Sequence, residues 1–262
     1  MQCIDEVSLS TAVLKNSKDP DGKLLDVISE AGYNMIELTR KYQDPGVIRK
    51  SGLKVWSIHG YFEGPITGSD AELQKSIDIA CRRVEMLGEF APCPVVEHYL
   101  FRHNDPEIGR CFRKCVEKLY DFYSKLGFIL CVETAPYKPK HNQRYPDSKE
   151  IAAFVRSFEK DDLRMTIDIN HSNLHEDLEQ VCDNCRGLIS NIHVSDNMGE
   201  WEDHMPPGTG IIDLKRAFAA LRRNGYAGPC NLEFVYSDSQ EIPTAEKLRG
   251  VRKYVEQLLW EK

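Results

Sequence analysis

Leu126-Gly127-Phe128-Ile129-Leu130-Cys131-Val132-Glu133 holds one repeating unit of the chain in eight residues. A helix ends, a glycine stops it, a short apolar run follows, and a carboxylate stands where that run ends. The helix before it reads from Glu107 to Leu126, because Ile108, Cys111, Cys115, Leu119, Phe122 and Leu126 recur at helical spacing. Gly127 supplies the stop. Residues 70–87 repeat the pattern. Leu73, Ile77, Ala80, Val84 and Leu87 form one face, Ser69 and Glu72 make a capping-box pattern, and Gly88 is the expected stop.

Eight apolar runs read as strands: Glu6–Leu9, Met35–Leu38, Val55–Ile58, Val95–His98, Phe128–Val132, Met165–Ile167, Ile189–Val194 and Asn231–Phe234. Each is followed by a helix-length stretch, the shortest of which carries Pro45 and Gly46. Apolar strands alternating with helices mean a parallel sheet covered by helices. Eight such units in 262 residues predict one α/β domain over residues 1–262, a single closed (β/α)8 TIM barrel with a parallel eight-stranded sheet. A doubly wound dinucleotide-binding fold would place glycines after the first strand, where Leu9-Ser10-Thr11-Ala12-Val13 has none.

The composition narrows the function. Against 34 Lys+Arg stand 41 Asp+Glu, a net charge of −7, so no basic footprint for nucleic acid is expected. No apolar run approaches the ~20 residues of a membrane span. Met1-Gln2-Cys3-Ile4-Asp5-Glu6 lacks the basic and apolar regions of a signal peptide. With nine cysteines, an odd number set mostly in apolar patterns, this predicts a cytoplasmic protein with reduced thiols. Cys182-Asp183-Asn184-Cys185 has CxxC spacing but falls late in a helix, without the strand-to-helix context of a redox motif.

In a barrel of this type the active site lies at the C-terminal ends of the strands. The polar residues there are Glu37, His59, Glu97-His98, Glu133, Asp168 with His171 three residues on, His193 with Asp196, and Glu233. Any one of them reads more simply as a cap, a salt-bridge partner or a structural histidine. As a set they differ. Glu133, Asp168, His193 and Glu233 come from four consecutive strands and converge on one mouth. Three carboxylates packed together would repel and raise one another's pKa unless a cation sat among them. A divalent ion would bring −3 to −1. Oxygen-rich ligation with one imidazole suits one divalent metal ion, Mn²⁺, Mg²⁺ or Co²⁺, with Zn²⁺ also accommodated.

These residues lie in longer motifs: Asp168-Ile169-Asn170-His171, Asn191-Ile192-His193-Val194-Ser195-Asp196, residues 204–213, and Gly225-Tyr226-Ala227-Gly228-Pro229 leading to Leu232-Glu233. In order and spacing the chain resembles the xylose isomerase-like TIM barrels, in particular the sugar phosphate isomerase/epimerase family. The resemblance implies Glu133, Asp168, His193 and Glu233 as metal ligands. It implies Glu133 and Glu233 as the acid/base pair that moves a proton on a carbon beside a carbonyl, through an enediolate. It implies His171 as a substrate ligand.

His59, His98, Asp196, Trp201 and His204 are further substrate-binding candidates, although His98 also reads as an imidazole bonded to Glu97. The amides of Pro207-Gly208-Thr209-Gly210 could hold an anion, or simply turn the chain into a helix capped by Asp213. Keto-sugar 3-epimerases of the resembling group carry an Arg shortly after the strand-7 His, where this chain has Met198-Gly199-Glu200. The resemblance therefore implies general isomerase, epimerase or lyase chemistry on a carbohydrate-type small molecule, with homo-oligomer formation left open.

Two other enzymes fit the same scaffold. One is a zinc phosphodiesterase of the endonuclease IV type, for which His59, His98, Glu133, Asp168, His171, His193, Asp203, His204 and Glu233 offer ligands. The other is a dehydratase of an inosose-like hydroxy-ketone. A non-catalytic sugar-binding barrel is a fourth reading.

Overall fold

The computed structural model describes residues 4, 6–14, 19–62, 69–98, 106–136, 146–236 and 241–260. Met1 to Cys3 and Asp5 of the N-terminus lie outside the described residues.

Eight parallel strands close into a barrel in sequence order. They are β1 (Val7–Ser10), β2 (Met35–Leu38), β3 (Lys54–His59), β4 (Pro94–His98), β5 (Ile129–Glu133), β6 (Arg164–Asp168), β7 (Ile189–Val194) and β8 (Cys230–Leu232). Each register is parallel, and β1 pairs with β8 to complete the ring. The helices outside the ring are α1 (Lys23–Glu30), α2 (Pro45–Ser51), α3 (Asp70–Glu85), α4 (Pro106–Lys125), α5 (Ser148–Arg156), α6 (Ile169–Asn173), α7 (Leu178–Asn184), α8 (Leu214–Arg223) and α9 (Ala245–Trp260). Strand boundaries differ from the sequence reading by one or two residues, and β2 and β7 coincide with it.

Local chemistry explains the helix starts. Ser69 and Glu72 form the expected reciprocal capping box on α3, and Asp147 with Glu150 forms another on α5. Asp44 caps α2, whose first residue is Pro45, so the proline-containing stretch does form a helix. Gly127, at φ +85°, follows α4 as expected. Gly88 does not act as a stop. The last turn of α3 closes at Met86, and Gly88 opens a short 3₁₀ turn with φ outside the left-handed region.

The helices pack apolar faces onto the strands, with Leu73, Ile77, Ala80 and Val84 of α3 buried. The inside of the barrel is more polar than the strand runs suggest. Ser8, Ser10, Glu37, Ser57, Thr166, Asn191 and Asn231 are all fully buried. Between Ile36 and Glu37 the β2–β3 register slips by one residue, which makes Trp56 the extra residue. Trp56 Nε1 donates to Asn191 Oδ1 (2.8 Å) and Ser57 Oγ donates to Glu37 Oε2 (2.7 Å). Both CxxC cysteines are buried and free, and burial pushes each thiol up to about 12, so neither is poised for redox chemistry. Among the described residues no helix is long and apolar enough to cross a membrane.

Candidate active site

Four strand ends deliver the cluster. Register pairs Asp168 with His193, and Glu233 continues the β8 ladder by donating its N–H to the Val194 carbonyl (3.0 Å). Glu133, Asp168, His193 and Glu233 are all buried, and one ligand atom from each lies within 4.8 Å of the others. Two donors at about 2.0–2.6 Å from one ion can be at most about 5 Å apart, so the separation fits a shared cation.

His193 stands at the centre. Its Nδ1 lies 2.6 Å from Glu133 Oε1, 3.0 Å from Glu233 Oε2 and 4.0 Å from Asp168 Oδ2. Its Nε2 lies 2.8 Å from Glu37 Oε2. Burial opposes charge on this ring, but Glu233, Glu37 and Glu133 more than reverse that and hold the imidazole well above its usual value. The resulting imidazolium explains why mutual repulsion does not raise every carboxyl. Burial pushes Glu133 up, yet His193 and His98 bring it down to about 2, and Glu233 is likewise lowered. Asp168 is raised, chiefly by burial.

Two carboxylate oxygens in the cluster, Glu133 Oε2 and Asp168 Oδ2, are buried and accept no hydrogen bond, with His98 Nε2 (3.2 Å) approaching the first and His171 Nδ1 (3.6 Å) the second as ion-pair neighbours. Buried anionic oxygens without donors are costly, and a cation is the partner that would satisfy them. The donor set and its spacing therefore fit one divalent metal.

Asp168 has a second task. It ends β6 and caps α6, its Oδ1 accepting the His171 N–H (2.9 Å). That single turn brings the His171 ring back over the site. His171 Nδ1 lies 3.0 Å from the Thr134 carbonyl, which can only accept, so Nδ1 carries the proton. Nε2 then faces Glu202 Oε2 at 3.6 Å. His204, in the loop after β7, stacks edge-on against His171 at 5.3 Å between ring centroids and holds φ +47°, a conformation side chains seldom adopt. Its Nδ1 approaches Ser195 Oγ and the Glu233 carbonyl, both at 3.3 Å.

His59 Nε2 lies 3.4 Å from Glu233 Oε1, and its ring stacks on His193. His98 does not bond Glu97. The two side chains leave β4 on opposite faces. His98 is half-exposed at the mouth, with Nε2 3.2 Å from Glu133 Oε2. Glu97 is buried between β4 and the helices, where Tyr123 donates to Oε1 (2.8 Å) and the Phe62 N–H to Oε2 (3.2 Å).

Burial raises the Glu97 carboxyl from 4.5 to about 7, against the lowering effect of those hydrogen bonds. A folded-state value above the unfolded one favours the folded protein at low pH. Its contribution is full below about 4.5 and is lost as pH rises to about 7, a change of at most about 3 kcal/mol. Glu97→Gln should flatten that part of the stability profile, measured as the wild-type minus variant difference in urea unfolding from pH 4.5 to 7.5.

Asp196 is a correction. It is not available to a substrate, because both of its oxygens hold the loop after β7. Oδ1 accepts the N–H groups of Asn197 and Ile212 (both 3.0 Å), and Oδ2 accepts those of Gly208 (3.0 Å) and Gly210 (2.9 Å). The same bonds correct the anion cradle read from residues 207–210, since the Thr209 N–H is also taken, by the Pro206 carbonyl. Asp213 does cap α8. Asp196→Ala should cost about 2–4 kcal/mol and speed amide exchange at Gly208, Gly210 and Ile212. Hydrogen-exchange NMR with chemical unfolding checks this. Trp201 lies half-buried in the same loop, its carbonyl accepting the Asp203 N–H (2.9 Å). Asp203 is exposed and belongs to none of the ligand groups formed by the described residues.

Glu37 is the residue that sequence reasoning passed over. It was visible as the polar end of a buried strand, but its partner His193 is 156 residues away in the chain.

The sequence profile of the xylose isomerase-like TIM barrel matches residues 25–255, and the chain belongs to that family. A known relative, L-ribulose-5-phosphate 3-epimerase UlaE of Salmonella typhimurium, is 23% identical over 252 residues, covering 93% of this chain and 79% of the relative. Among solved structures, D-psicose 3-epimerase in the presence of D-fructose superposes with TM-score 0.78 at 14% identity, covering 98% of this chain and 100% of that one. The IOLI protein with a zinc atom gives TM-score 0.78 at 15% identity, covering 97% and 98%. These two likenesses establish the fold. The named epimerases agree with the expected enzyme class, isomerase or epimerase.

Proposed function

We propose that this protein is a metal-dependent epimerase or isomerase of a sugar, sugar phosphate or related polyol or keto acid. The observation that carries the reading is the convergence of Glu133, Asp168, His193 and Glu233 on one point, where two buried carboxylate oxygens, Glu133 Oε2 and Asp168 Oδ2, accept no hydrogen bond. A divalent cation there would supply Lewis-acid polarisation of a substrate carbonyl and its neighbouring hydroxyl. The protein supplies the rest. Glu233 and Glu133 reach the point from strands three apart in the ring, so one carboxylate takes a proton from one face of the reacting carbon and the other returns it on the opposite face. His171 offers Nε2 to a substrate oxygen, because Nδ1 is fixed on the Thr134 carbonyl. His59, His98 and His204 line the surrounding space and are assigned to substrate hydroxyls. The substrate on this reading is a carbohydrate-type small molecule and not nucleic acid.

Solvent exchange tests this. Mn²⁺-loaded protein in D₂O with a panel of ketoses and ketose phosphates should incorporate deuterium at a carbon next to the carbonyl in at least one of them, read by proton NMR. No incorporation with any substrate, alongside loss of water from a hydroxy-ketone, would replace isomerase by dehydratase.

A phosphodiesterase of the endonuclease IV type is favoured by one observation. His59, His98 and Glu133, and separately Asp168, His171 and His204, also gather potential ligand atoms within 4.8 Å. Metal content decides between the two. One ion per chain supports the epimerase reading, whereas three zinc ions with cleavage of abasic DNA would support the nuclease.

A further inference from the structure

We infer that Glu37 is a positioning residue that makes His193 a ligand through Nδ1. The inference rests on the cation centre proposed above and concerns a residue outside it. Glu37 is fully buried and meets His193 at Nε2, whereas Glu133 and Glu233 meet it at Nδ1, so Glu37 lies outside the four-residue cluster. Its Oε2 receives three groups: His193 Nε2 at 2.8 Å, Ser57 Oγ at 2.7 Å and Asn231 Nδ2 at 3.0 Å. Ser57 is the register partner of Glu37 on β3, and Asn231 is the register partner of His193 on β8. The carboxylate is thus tied to both of the strands that flank the contact.

The chemical consequence concerns the tautomer. A carboxylate oxygen only accepts when ionised, so Nε2 of His193 must carry a hydrogen to make the 2.8 Å contact. The other nitrogen, Nδ1, is the one facing Glu133 and Glu233. With Nε2 committed to Glu37, Nδ1 is the ring nitrogen turned toward the carboxylate cluster. An anionic acceptor behind the ring also makes the imidazole a stronger electron donor, and partners of this kind typically change metal affinity by about 10–100-fold. The near-parallel stacking of His59 on His193, 5.7 Å between centroids, adds a second restraint on the ring.

The test uses full-length protein stripped of metal and titrated with Mn²⁺ by calorimetry. Glu37→Gln should weaken Mn²⁺ binding about 10–100-fold while the metal-free melting temperature stays within a few degrees of wild type. Ser57→Ala, which removes one group orienting Glu37, should weaken binding by a smaller factor. With Zn²⁺ bound, nitrogen-edited NMR should find the His193 Nε2–H in the wild type, and find its resonance shifted or lost to exchange in Glu37→Gln. A folded Glu37→Gln that binds Mn²⁺ as tightly as wild type overturns the inference and leaves the cation centre standing. Should Glu37→Gln not fold, unchanged Mn²⁺ affinity in Ser57→Ala overturns it instead. Wild-type protein that binds no divalent ion overturns the cation centre itself, and this inference with it.

Discussion

Glu233→Gln is expected to lower turnover by about 10²–10⁴-fold, the usual contribution of a positioned acid/base. The exchange preserves shape. Glu233 Oε2 lies 3.0 Å from His193 Nδ1 and Oε1 lies 3.4 Å from His59 Nε2, contacts that an amide can partly keep. What it loses is the charge and the ability to take a proton. Because Glu133 remains, the two halves of the reaction should separate. One epimer should still exchange its proton with solvent at the reacting carbon, while conversion to the other epimer stops. Proton NMR in D₂O reads both at once. A variant that converts every active substrate at the wild-type rate would mean that the protein does not work through two carboxylates.

Asp168→Asn should shift the stability of the metal-free and metal-loaded proteins in opposite directions. Asparagine keeps the Oδ1 acceptor that caps α6, so the turn carrying His171 should survive. It removes a buried carboxylate whose Oδ2 has no donor and whose pKa burial raises. Near neutral pH, where holding that carboxylate ionised is unfavourable, the metal-free variant should be more stable than wild type by about 1–3 kcal/mol. The metal-loaded variant should be less stable than loaded wild type, because one anionic ligand is gone and the linkage term RT ln(1 + [L]/Kd) shrinks. Melting curves with chelator and with saturating Mn²⁺ should therefore reverse their order. A variant less stable in both states would identify Asp168 as a structural residue.

Much of this arrangement was legible in the sequence, for identifiable reasons. Strand and helix periods are local, so β2 and β7 were read to the residue, and the Ser69–Glu72 capping box was read from two side chains three apart. Strand order fixed the four converging residues once the barrel was closed. What failed depended on backbone geometry or on distant partners. Asp196 looks like a mouth residue until the loop folds back and delivers the amides of Gly208, Gly210 and Ile212 to it. Glu97 and His98 are adjacent, and alternation along a strand says they face opposite ways without saying which faces in. Glu37 meets its donors only because β2, β3, β7 and β8 surround one lumen, a consequence of closure that no local pattern carries.

On the proposed reading, Glu133, Asp168, His193 and Glu233 hold one divalent cation between the two glutamates that move the proton. Anomalous diffraction from crystals of the protein grown with Mn²⁺ tests it most directly. The expected result is one strong peak per chain within about 2.0–2.6 Å of an oxygen from each carboxylate and of His193 Nδ1. No peak there, or Mn²⁺ held only by other residues while these four keep their present contacts, would contradict it.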